Sequence, residues 1–178
     1  QVNGELVASD GASQALSFDL GGSGTATYED TSVAAGYYTV TVQVLDGSTV
    51  VAGAAESARV ARDARTSGTF SFEEINPPTG DAEVVIDPEL DDPLEVTING
   101  ALDSIAMGGS MSLSAEVSNA DGETVSYSWY INGGFLSTGE STTLGSSLEP
   151  GSYRLDVVVL TSDGDRSGSA SHTFTVAE

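Results

Sequence analysis

One histidine, His172, and 27 Asp and Glu residues carry most of the acid–base chemistry open to this chain; Cys is absent, and the five cationic residues are all Arg. Thiol nucleophiles, Schiff-base lysines and multi-histidine metal sites are excluded by those absences. His172 alternates in phase with Phe174 and Val176, which turns it inward as a hydrogen-bonded structural histidine. No Gly-x-Ser-x-Gly elbow is present to support a serine triad. Carboxylate pairs are unavoidable among 27 acids and do not by themselves indicate glycoside hydrolysis. No catalytic residue is assigned, and the chain is read as a non-enzyme.

Three clusters remain. Asp163-Gly164-Asp165-Arg166-Ser167-Gly168 matches the first half of a calcium loop, with oxygens from Asp163, Asp165 and Ser167 and glycine at position six. Phe174 stands where the bidentate acid belongs, so the plainer expectation is a polar hairpin turn; calcium is the only cofactor considered. Asp87, Glu89, Asp91 and Asp92 form a second acidic run, read as a solvated linker. Arg59, Arg62 and Arg65 place three of the five cations within seven residues, against a net charge of −22. They are read either as locally paired with Asp63 and nearby Glu, or as a docking patch for an acidic surface, including a second copy of this protein.

The overall charge disfavours nucleic acid, which is bound through Lys and Arg, and equally an anionic membrane surface. No stretch approaches the ~20 apolar residues of a membrane span. The absence of Cys is neutral about compartment. The absence of an Asn-x-Ser/Thr sequon favours a prokaryotic source. Gln1 is not followed by a charged-then-apolar leader, so any export signal or lipidated Cys is expected to have been removed or to lie outside this sequence. The lack of lysine fits either GC-rich coding or high-salt adaptation.

The elements that must position these residues are strands. Apolar residues recur with period two: Tyr38/Val40/Val42/Val44, Met111/Leu113/Ala115/Val117, Val125/Tyr127/Trp129/Ile131, Tyr153/Leu155/Val157/Val159 and Ala170/His172/Phe174/Val176. Each strand is expected to have one dry face and one wet face, as in a β-sandwich. Asn99-Gly100, Asn132-Gly133 and Asp163-Gly164 supply the turns. The reading is all-β with almost no helix: two tandem antiparallel sandwiches, residues 1–91 and 92–178. A hairpin over 68–75 and 83–87 closes the first, and residues 87–93 form a stiff acidic linker.

Residues 35–45 and 150–160 align at a separation of 115, each with Gly-x-Tyr at the start of a long apolar alternation. Val33…Gly36…Tyr38 and Leu148…Gly151…Tyr153 resemble the tyrosine corner of immunoglobulin-like sandwiches, and Trp129 stands where that family's core Trp sits. Tyr127-Ser128-Trp129-Tyr130-Ile131-Asn132-Gly133 is similar to the PKD-like and Ig-like repeats of bacterial cell-surface proteins. The resemblance implies structural roles for Tyr38, Tyr153 and Trp129. It also implies a non-catalytic extracellular or cell-surface module, exported by a prokaryote, that spaces, adheres or assembles. The partner expected is protein, with head-to-tail self-association into a fibre through the arginines. That expectation draws on the uncharged stretch 49–55, which must be covered within its own domain or paired with another chain. The alternative is a carbohydrate-binding module attached to a secreted hydrolase, with Tyr37, Tyr130 and Phe135 as exposed aromatics for polysaccharide.

Overall fold

In a computed structural model the chain folds as two tandem Ig-like β-sandwiches, with no helix among the described residues. Those residues are 1–20, 26–61, 66–70, 86–87, 93–145 and 147–178, with 19, 20, 86 and 87 described by backbone alone. The linker 87–93 lies almost wholly outside them, as do Arg62, Arg65 and most of the hairpin expected to close the first sandwich.

The first half contains β1 (Val2–Ala8), β2 (Ser13–Ser17), β3 (Asp19–Leu20), β4 (Ala26–Thr27), β5 (Gly36–Asp46), β6 (Thr49–Val60), β7 (Ser67–Gly68) and β8 (Ile86–Asp87). The second contains β9 (Val96–Asn99), β10 (Ser104–Ala106), β11 (Met111–Val117), β12 (Val125–Ile131), β13 (Gly134–Thr138), β14 (Ser141–Leu144), β15 (Gly151–Thr161) and β16 (Ser167–Ala177). Here a five-stranded sheet, β10-β16-β15-β12-β13, faces a three-stranded one, β14-β11-β9. Between them Trp129, Leu155, Val157, Val159, Met111, Leu113 and Phe174 form the core. The β9–β10 segment changes sheets: β9 pairs antiparallel with β11, whereas β10 runs parallel to β16. At three residues with one buried apolar side chain, Ile105, β10 is too short to leave a periodic signal.

The main sheet of the first half, β2-β1-β5-β6, repeats the order β13-β12-β15-β16. The registers correspond, since Leu6 faces Val40 as Ile131 faces Leu155. By that register Gly4 occupies the position of Trp129. Space for an aromatic is filled from elsewhere: a Cβ on Gly4 would lie 2.7 Å from Cε2 of Phe18. The two halves thus build one architecture with different core residues. Phe70, beyond β6, is buried in the first core with Leu6, Val40, Val42 and Ala54, so the chain returns to that core after its last long strand.

The rule of one dry and one wet face fails on two strands. In β15, Leu155, Val157 and Val159 face the second core, yet Asp156 and Val158 on the opposite face are also buried. In β6, Ala52, Ala54 and Ala58 face the first core, while Ala55 and Ser57 on the other face are equally covered. The cause is that β6 packs against β12, β15 and β16 of the second sandwich.

Candidate functional site at the seam between the two sandwiches

Small side chains make this approach possible. β6 reads Val51-Ala52-Gly53-Ala54-Ala55 through the contact, so the strand backbone itself comes close to the facing sheet. A Cβ on Gly53 would collide with the carbonyl of Asn132. Gly133 sits with φ +70° in the β12–β13 turn, a conformation that favours glycine, and its missing side chain leaves room for the Val42 carbonyl. Ala55, Tyr130 and Val158 form a small apolar cluster across the seam.

Polar groups set the register. Asn132, at φ +47°, donates its amide to the Arg154 carbonyl and accepts the Arg154 amide at Oδ1, both at 2.8 Å. Its carbonyl accepts Gln43 Nε2 from the first sandwich at 3.2 Å. The Tyr130 hydroxyl is hydrogen-bonded with Thr39, and burial raises its pKa.

At the centre lies Asp156, 0% exposed. Its Oδ2 accepts the Ala55 amide of β6 at 3.1 Å, and its Oδ1 accepts Arg154 Nε at 2.8 Å. The same guanidinium donates to Glu56 Oε1 at 3.3 Å. Two carboxylates therefore share one cation beside a cavity of about 210 Å³ lined by Ala55, Glu56, Arg154, Asp156, Ser169, Ala170 and Ser171. Burial lifts Asp156 to about 6 despite Arg154 and the Ala55 amide, and burial raises Glu56 as well. Such a cluster can hold a proton or fix two domains in register.

The residues singled out from sequence lie largely elsewhere. Arg59 sits 5.8 Å from the centroid of the Tyr37 ring, and its carbonyl accepts the Thr66 hydroxyl at 2.6 Å; Arg62 and Arg65 lie outside the described residues. Of the uncharged stretch 49–55, residues 52–55 are buried, Ala52 and Ala54 in the first core and Ala55 against the second sandwich, whereas Thr49 and Val51 are exposed. Asp163 closes its hairpin turn: Oδ1 accepts the Thr161 hydroxyl at 2.6 Å and the Asp165 amide at 3.1 Å, which holds its pKa below the usual carboxylate range. Ser167 is buried at the start of β16, its hydroxyl without a hydrogen-bond partner among the described residues. Among the described residues, no three Asp, Glu or His side chains stand close enough to hold a metal ion. His172 Nε2 lies 3.2 Å from the Leu102 carbonyl and 3.6 Å from Asp103.

Tyr38 and Tyr153 each donate a hydroxyl to the carbonyl four residues upstream, Ala34 and Glu149, both at 2.8 Å. Trp129 is fully buried and donates Nε1 to the Gly139 carbonyl at 2.9 Å. Two of the three aromatics expected to be exposed are not: Tyr37 is 8% and Tyr130 7% exposed, while Phe135 is 64% exposed. Tyr130 is covered because its outward face meets the first sandwich. Asp156, Arg154 and Glu56 were missed by sequence reasoning. The available signals were the unbroken apolar run Val157-Val158-Val159-Leu160 and the uncharged stretch of β6, which mark strands buried on both faces.

No protein-family model and no curated protein matches the chain. Among solved structures, the fibronectin(III)-like modules of Clostridium thermocellum CbhA are similar at 12% identity and a TM-score of 0.41, covering 98% of this chain and 77% of that one. Three N-terminal domains of the Highly Immunogenic Outer Capsid protein (Hoc) of bacteriophage RB49 are similar at 20% identity and a TM-score of 0.38. That match covers 99% of this chain, which spans about half (48%) of the Hoc structure.

Proposed function

We propose that this chain is a non-catalytic structural module pair, a rigid spacer displayed outside a prokaryotic cell. The observation that carries the reading is the seam. A spacer fixes the distance and angle between what lies at its two ends, and that requires domains that do not swing. Direct hydrogen bonds from Ala55 to Asp156, from Gln43 to Asn132 and from Arg154 to Glu56 span the two halves. Interdomain contacts held only by a linker leave relative motion as the default. Export is argued from the resemblance of residues 127–133 to repeats of bacterial cell-surface proteins, and the absence of a sequon favours a prokaryotic source.

Carbohydrate binding stands as the second reading through Phe135, the one exposed large aromatic among the described residues. Polysaccharide pull-down separates the two. The spacer reading expects no retention on cellulose, chitin or xylan. Retention that is lost in Phe135→Ala would overturn it in favour of a binding module.

A further inference from the structure

We infer that the seam is an acid-tightened clasp: the docked arrangement of the two sandwiches takes up a proton that the separated sandwiches do not hold, so lower pH closes it more firmly. The inference concerns the seam alone and stands whether or not the pair serves as a spacer. It begins from counting charge. Asp156 and Glu56 face a single guanidinium, that of Arg154, at 2.8 and 3.3 Å. With both acids ionised, a site closed by two domains carries one negative charge in excess. Protonating Asp156 leaves the Arg154–Glu56 pair balanced, and the Ala55 amide keeps its acceptor.

Among the described residues, Arg154 is the one charge that offsets the two carboxylates. From β12, Tyr130 pairs with Asp156 in the sheet and is neutral, its pKa raised by burial. From β16, Ser169, Ala170 and Ser171 line the cavity; His172 bonds the Leu102 carbonyl and lies 3.6 Å from Asp103. From β6 the titratable group at the cavity is Glu56 itself. The cavity of about 210 Å³ gives a proton or water a route to the carboxylate.

The folded-state shift agrees in sign. Asp156 rises from 3.8 to about 6, mainly through burial. An acid raised on docking stabilises the docked state below its undocked pKa, and that contribution is lost as pH rises through 6. Linkage between those two values predicts a docking constant about tenfold larger at pH 5 than at pH 7.

Hydrogen exchange of the Ala55 amide, which Asp156 accepts across the seam, reads this directly. After correction for intrinsic exchange rates, its protection should rise about tenfold from pH 7 to pH 5. The Val157 amide, deep in the second sandwich, serves as the control for global opening. In Asp156→Asn the Ala55 response should flatten. In Arg154→Gln it should move to higher pH, because two carboxylates then lack any cation. Protection at Ala55 that is flat or falls with acid, or a full response retained in Asp156→Asn, would overturn the inference. Should Asp156→Asn fail to fold, the wild-type profile and Arg154→Gln still decide it.

Discussion

Tyr38 and Tyr153 perform one task twice. Each lies at the start of an 11-residue strand, half-buried, and donates its hydroxyl to a carbonyl four residues earlier. The bond pins the crossing segment to the strand that follows it, which is where a sandwich passes from one sheet to the other. Tyr153→Phe removes the donor and leaves the Glu149 carbonyl to water, at a cost of about 1 kcal/mol. Urea denaturation should show the midpoint lowered with the slope unchanged; an unchanged midpoint would remove the corner from the account. Other side-chain sites are set by equally local chemistry. Asp30 is held well below the usual carboxylate range by the Ser32 hydroxyl and amide, then by Gln14 and Tyr28. Both corners were legible in the sequence, because Gly-x-Tyr recurs at a fixed separation with the same alternation behind it. Asp156 was not legible. In an alternation of apolar residues it reads as the wet face of β15, and only the packing of β6 makes that face dry.

At the scale of elements, β6 and β15 distinguish this fold from two independent sandwiches. β6 is an edge strand of its sheet, and an exposed, uncharged edge invites pairing with other chains. Here residues 52–55 of the edge strand are buried, and Asp156 accepts the Ala55 amide. Small residues are the condition for that fit. Gly53→Val should therefore drive backbone against the Asn132 turn and weaken docking by roughly 1–3 kcal/mol. Because the core-facing Ala52, Ala54 and Ala58 of β6 are unchanged, each core should survive. Calorimetry should then resolve two transitions in place of one, whereas a single unshifted transition would mean that the seam contributes nothing. The long strands were readable from period two. The seam was not, since a strand covered on both faces by residues from distant parts of the chain keeps the same alternation on its core side. β10 was missed for want of length.

For the whole molecule, the net charge of −22 makes each cation informative. Among the described residues Arg154 joins the two halves, Arg166 pairs with Asp121 within the second, and Arg59 lies against Tyr37 in the first. Of these, Arg154 places positive charge where the two halves meet. We propose that the two sandwiches move as one rigid body, and the absence of Cys opens the chain to a direct test by site-specific labelling. Spin labels on Ser13→Cys in β2 and Ser112→Cys in β11, both exposed, place one probe on each half. Pulsed electron–electron distance measurement should give a single narrow distribution at neutral pH, unchanged by moderate salt. A distribution tens of ångströms wide, like that of two modules on a flexible tether, would mean that the halves swing independently.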